Sequence, residues 1–434
     1  MKTNNYSAKS SLRSWAKALT LLFAMATPSC TWAQANTVEV NISNPTNEQR
    51  QELVEVELKT ILGRLGISDV KKQPFTVKNK IGQQADFQLT HDGKLLIDAS
   101  VRPNADVTYY IMRGKPMKQK VWTTGAYYQM RKDDIAWEND RCAYRVYGPA
   151  LQRSGEQSRG TDVWAKSTPD TVVYKRYWNN QDGWMLGNKL RQQAKKAKTE
   201  KQRKALLAKA DSMHLATSFH LEHGDGLDPY RVGATLGLGA PALMVGDSIV
   251  LPYCYKDYQI LDNGPLRFTV ALTYNPSDIG AAKNVVEHRI ISLDKGSNFN
   301  KMTVWYTGLT EPTDFATGFP IHEEDTEWKT IAADYLSYAD PTDNMAVNNA
   351  QLYVAVLFPE KIDQTFYQLF KQKHDGATGH ALGIRKGLKD GERYNYYFGA
   401  GWSKYDVRSY AEWQLRINQF MRALKTPLTV SVAQ

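Results

Sequence analysis

Val285-Val-Glu-His-Arg-Ile-Ile-Ser-Leu293, the turn Asp294-Lys-Gly-Ser297 and Met302-Thr-Val-Trp-Tyr306 read as two alternating strands joined by a tight loop. The same rhythm extends outward on both sides. Runs at 143–147, 216–222, 248–252, 266–274 and 352–358 are expected strands, and Asp262-Asn-Gly-Pro265 is a turn. No strand–helix–strand alternation accompanies them, so a parallel doubly wound sheet is disfavoured. Large antiparallel sheets stacked face to face are the expected architecture. Nearer the start, 38–42, 75–78, 86–89, 94–98 and 107–111 are shorter strands, with His91-Asp-Gly93 as the clearest hairpin turn. The reading is therefore a mainly β chain: a smaller N-terminal β-sandwich region over 38–114, then a larger β-sandwich region over 115–434.

Two stretches break the pattern. Residues 186–213 are rich in Ala, Lys, Gln and Leu and predict a helical insertion. Its sparse apolar positions suit a solvated surface helix, with a clamp for an acidic glycan as the sharper alternative. Residues 408–424 place Tyr410, Trp413, Ile417, Phe420, Met421 and Leu424 at helical spacing and predict a core-packed helix.

The net charge of +10 on 434 residues is local. Residues 1–33 hold Lys2, Lys9, Arg13 and Lys17 with no acid, and 186–210 hold nine cations against Glu200 alone. The remainder is close to neutral, which argues against nucleic acid as a partner. Residues 1–33 also read as a signal peptide, with an apolar core at 18–26 and small residues at Thr31-Trp-Ala33. That predicts export to the periplasm or cell surface. Cys30 follows Thr27-Pro-Ser and is a candidate lipid anchor. Cys142 and Cys254 either bridge or are buried thiols. Twenty-four Tyr and 11 Trp against 13 Phe favour aromatics with a polar handle, as wet binding sites do.

Five clusters concentrate polar, aromatic and glycine residues. They are Trp137-Glu-Asn-Asp-Arg141 with Arg145 and Tyr147, His220-Leu-Glu-His-Gly-Asp-Gly-Leu-Asp228 with Tyr230 and Arg231, Glu287-His-Arg289, Gly318-Phe-Pro-Ile-His322 with Glu323, Glu324 and Asp325, and Thr378-Gly-His380 with the run 396–404. The glycines at 233, 237 and 239 lack the spacing and context of a dinucleotide loop. Asp225 and Asp228 could hold a structural calcium, although a structural turn is the simpler reading. No catalytic metal and no other cofactor is expected. Neither a nucleophile elbow nor a zinc helix occurs.

His, Tyr, Arg and carboxylate in a β frame suit proton abstraction beside a carboxylate, as in β-elimination from a uronic acid. The candidates for acid and base are His223 and His380, with His322 in reserve and Glu222 beside them. Arg141, Arg231 and Arg289 are candidates for the substrate carboxylate, and Trp137, Tyr230 and Trp402 for sugar stacking. Two alternatives stand beside this lyase or dehydratase. One is a glycoside hydrolase using Glu222 or Glu138 with a second carboxylate. The other is a protein that binds glycans without turnover.

Trp137-Glu-Asn-Asp-Arg-Cys-Ala-Tyr-Arg-Val-Tyr-Gly-Pro149, Glu222-His-Gly-Asp-Gly-Leu-Asp228, Glu287-His-Arg-Ile-Ile-Ser-Leu-Asp-Lys-Gly-Ser297 and Phe398-Gly-Ala-Gly-Trp-Ser-Lys404 resemble the exported domain-of-unknown-function family numbered four-eight-six-one. The resemblance implies a galactose-mutarotase-like antiparallel β-supersandwich. It also implies a place in polysaccharide-utilisation gene clusters and an oligosaccharide or polysaccharide partner. It assigns no catalytic residue.

Overall fold

In a computed structural model, residues 37–323, 329–342 and 349–433 are described, and every named strand pairing is antiparallel. The proposed signal peptide, Cys30, Glu324 and Asp325 lie outside the described residues. The large sheet runs in the order Tyr255–Asn263, Arg267–Tyr274, Ala282–Asp294, Phe299–Thr307, Tyr394–Trp402, Leu352–Leu357, Tyr335–Asp340, Lys329–Ile331, with Ser277–Ile279 beside the third strand. Period-two alternation sends Val285, Glu287, Arg289, Ile291 and Leu293 to its inner face.

Two five-stranded sheets cover that face. The first is ordered Gly226–Leu227, Thr161–Lys166, Cys142–Val146, Asp134–Glu138, Thr124–Tyr128; the second Ser248–Val250, Pro241–Val245, Thr313–Ile321, Ala377–Leu388, Gln364–His374. A parallel bridge between Thr161 and Gly237 joins the covers. One continuous apolar core fills the space between, including Trp137, Phe268, Phe319, Tyr338 and Trp402. The antiparallel β-supersandwich expected from the sequence is the fold observed.

A smaller sandwich stands beside it. Its four-stranded sheet contains Thr37–Asn44, Ala105–Arg113, Phe75–Lys78 and Thr429–Val432, and its three-stranded sheet Arg50–Glu57, Lys94–Val101 and Phe87–Leu89. Thr429–Val432 pairs with Thr37–Asn44, so residues from both ends of the described chain build this sandwich.

The helix at Tyr410–Lys425 buries Trp413, Ile417 and Met421 against the outer face of the large sheet. Ser409 caps it by accepting the Glu412 N–H at 3.2 Å. The insertion expected as one helix over 186–213 is a helical hairpin instead, Val173–Lys195 and Glu200–Thr217. Thr199 caps the second helix, which is why the helix breaks there. The two helices approach closely because Gly183 has no side chain; a Cβ there would fall 1.8 Å from Thr217 Oγ1. The strand expected at 216–222 does not form: Ala216 and Thr217 continue the second helix, and a turn follows. Cys142 and Cys254 are free and buried.

Candidate functional site

Leu352 pairs with both Asp340 and Trp402, which sets those two residues on one rung at the rim of the large sheet. Thr313–Ile321 ends opposite this rim and delivers His322. Its Nδ1 lies 2.6 Å from Oδ2 of buried Asp340, while Oδ1 of Asp340 accepts the Thr342 N–H at 2.9 Å. A carboxylate on Nδ1 fixes the tautomer and makes Nε2 the basic nitrogen.

Tyr230 meets the His322 ring edge-on, with centroids 6.0 Å apart at 83°. Its hydroxyl is buried and has no hydrogen-bond partner among the described residues. Burial, reinforced by Asp340 and Asp162, holds that hydroxyl well above the usual phenol range, so it carries its proton. His380 stands opposite Pro320 in the second cover sheet. Its Nε2 accepts the Leu236 N–H at 3.4 Å. Nδ1 then bears the proton and has no partner among the described residues. Burial, with the charges of His322 and His374 acting the same way, depresses this imidazole to about 3. His380 is therefore a neutral donor and not the titrating acid or base expected from the sequence.

Arg231, next to Tyr230, is exposed. Its guanidinium lies over the 374–377 hairpin, where a Cβ at Gly376 would meet it at 3.1 Å. The hairpin is held to the Tyr230 loop by Asp375 Oδ2, which accepts the Ala234 N–H at 2.7 Å. The rim thus gathers Tyr230, His322, Asp340 and His380, with Arg231 following Tyr230 in the chain.

The remaining candidates sit elsewhere. Trp137 is fully buried between Tyr144 and Phe268 and donates Nε1–H to Asn300 at 2.7 Å, so it cannot stack on a sugar. Trp402 is also buried and donates to the Asn349 carbonyl at 2.7 Å. Arg289 points inward, pairs with Glu287 and lies over Tyr274, which removes it as a carboxylate ligand. Glu287 is completed by the Tyr306 hydroxyl at 2.9 Å. Arg141 pairs with Asp406 at 2.8 Å and bonds the Gly296 carbonyl.

His223 bonds the Ser218 carbonyl at 2.9 Å and lines a cavity of about 120 Å³ beneath the helical hairpin, with Arg176 and Asp225. Glu222 shapes a turn by accepting from Gly224 and Gly226 at 2.6 and 3.0 Å. Glu138 is buried against Lys166 at 2.7 Å and caps the N–H groups of Val172 and Val173. Both carboxylates named for a hydrolase are thus engaged in structural bonds. Asp225 pairs with Arg176, and Asp228 with Arg145. Among the described residues, no three His, Cys, Asp or Glu converge as a metal site, and no helix is long and apolar enough to cross a membrane.

Sequence reasoning missed Asp340, whose only local signal is a lone acid ending the apolar strand Tyr335–Asp340. It also missed the full cluster around buried Arg145. That guanidinium meets Asp162 at 2.6 Å, Asp228 at 2.9 Å and Asp134 at 3.4 Å. Burial is the main force raising Asp162 to about 7, with Asp228 adding to it, and burial raises Asp134 to about 6. Arg145 ties Asp228, and with it the segment leading to Tyr230, to the first cover sheet.

A relative from Formosa agariphila, described as "Uncharacterized protein P7", is 25% identical over 353 residues, covering 78% of each chain. Among solved structures, an alpha-mannosidase from Enterococcus faecalis V583 aligns over 92% of this chain with TM-score 0.46 and 8% identity. A protein in the Glycosyl Hydrolase Family 38 from Enterococcus faecalis aligns over the same share with TM-score 0.46 and 7% identity. The chain spans about half the length of these two, 46% and 47%. The family model described as "Domain of unknown function (DUF4861)" matches residues 42–430, nearly the whole described chain, and the protein belongs to that family.

Proposed function

We propose that the protein is an exported carbohydrate-active enzyme that cleaves or dehydrates a uronic-acid-containing oligosaccharide by β-elimination at the rim. The observation that carries this reading is the His322–Asp340 pair beside a buried Tyr230 hydroxyl that has no partner among the described residues.

Elimination needs a base for the proton α to the carboxylate, a cation for the developing enolate and an acid for the leaving oxygen. His322 Nε2 takes the proton from the carbon bearing the carboxylate. The electron pair left behind forms the new double bond to the neighbouring carbon, and the bond from that carbon to the leaving oxygen breaks. Tyr230 donates its proton to that oxygen. Arg231 pairs with the carboxylate, and the neutral His380 Nδ1–H supplies a second donor. Asp340 stabilises the imidazolium once His322 is protonated.

The test is a panel of uronate oligosaccharides followed by absorbance of the unsaturated product. Reducing ends released without that absorbance would replace elimination by hydrolysis. Binding without any product would reduce the protein to a glycan-binding role.

A further inference from the structure

The helical hairpin carries a surface that the rim chemistry does not use. Large aromatic rings are normally covered, yet Tyr174, Trp178 and Trp184 are 61%, 41% and 54% exposed, with Met185 and Leu186 beside them. Tyr174 and Trp178 touch edge-on at 6.1 Å, one helical turn apart. The arginines are neutralised: Arg176 by Asp225, Arg191 by Asp211, Arg203 by Glu200. Lys175 shares Asp225 with Arg176, but the lysines nearer the turn are not neutralised. Lys189, Lys195, Lys196, Lys198, Lys201 and Lys204 are exposed and make no ion pair among the described residues. The hairpin therefore offers ring faces along the first half of its first helix and uncompensated positive charge from there around its turn.

Charge complementarity fixes the sign of the partner: it is an anion with repeated charges. A bilayer fits poorly, because a helix lying in a membrane interface separates an apolar face from a basic one. Neither helix of the hairpin shows that separation. A linear polymer that carries both ring faces and negative charges along its length can run from the tryptophans of the first helix to the lysines around the turn. We propose that the hairpin is a docking surface for an acidic polysaccharide. The choice of polysaccharide among anionic polymers rests on the acid-sugar reading of the rim.

The test uses the whole protein and polygalacturonate as the probe, with retention measured across a salt series, and dextran, duplex DNA and anionic lipid vesicles in parallel. Polygalacturonate is expected to bind, more weakly as salt rises, and dextran not to bind. A K195Q/K196Q/K198Q/K201Q variant is expected to weaken binding at least about tenfold and to flatten the salt dependence. A W178A/W184A variant is expected to weaken it about threefold to tenfold with an unchanged melting temperature. Undiminished binding by the lysine variant, no binding by the natural protein, or tighter binding to DNA or vesicles would each overturn the proposal. Retention is read without turnover, so the two readings fail separately. If His322→Ala binds polymer normally and no uronate is ever turned over, only the rim reading falls. If turnover is seen and the lysine variant still binds normally, only the hairpin proposal falls.

Discussion

The Arg145 cluster and the His322 rim are both buried, charged and electrostatically perturbed, yet they are built on opposite plans. Around Arg145, three carboxylates converge on one guanidinium, and the network ties three strands and a loop together. At the rim the groups are fewer, and two of them, the Tyr230 hydroxyl and His380 Nδ1, have hydrogen-bonding capacity that no described residue uses. A displaced pKa alone would point to either region. Unused capacity does not separate them either, since Asp134 Oδ1 in the Arg145 cluster also lacks a partner among the described residues. What differs is that each carboxylate of the cluster already faces the guanidinium, whereas the idle rim groups are proton donors with no counterpart among the described residues.

The largest expected effect is on turnover. His322→Ala should lower the elimination rate about 10²- to 10⁴-fold, as loss of a general base does, in steady-state assays on a uronate oligomer. Its denaturation midpoint should move far less than that of an Arg145 variant. An equal loss of stability would erase the distinction between the two regions.

Arg145→Met should lower unfolding free energy by about 3–5 kcal/mol, because it strands buried carboxylates. Chemical denaturation measures this, and a loss below about 1 kcal/mol would show that the cluster does not hold the fold.

The pH responses should run in opposite senses. Asp162 is raised to about 7, so the folded state holds its proton more tightly than the unfolded chain. Its contribution to stability is complete below the unfolded carboxylate value near 3.8 and is lost as pH rises through about 7. His380 is depressed to about 3 from 6.5, so its contribution is complete above 6.5 and is lost as pH falls towards 3. Melting curves of Asp162→Asn and His380→Gln against pH should each lose one of these slopes. Parallel slopes would refute the contrast.

The smallest effect sharpens it most. Tyr230→Phe should leave stability unchanged or raise it by up to about 1 kcal/mol, since it removes a buried donor without a described partner. Turnover should nevertheless collapse. A destabilised Tyr230→Phe would mean that the hydroxyl serves the fold.

The strands were legible because burial on one face leaves a period of two. Ala282–Asp294 and Arg267–Tyr274 follow directly from it. The hairpin was half legible: its basic second half is plainly helical, but its first helix carries Gly183 and Gly187, which read as breakers until their packing partner is known. The site was less legible still. Trp137 and Arg289 look like ligand groups in the sequence, and only the facing sheet shows that their side chains point inward. Conversely, Asp340 and His322 are 18 residues apart on different sheets and meet only after folding.

The pairing of Thr429–Val432 with Thr37–Asn44 gives synthesis and folding different orders. The first strand is made early, but one of its two neighbours is completed only after nearly four hundred further residues. Until then that flank shows bare amides and carbonyls, and a second nascent chain could pair with it. The large sandwich can assemble in the meantime. The small one is completed last, so deleting residues 429–432 should destabilise a sandwich whose other strands are made long before.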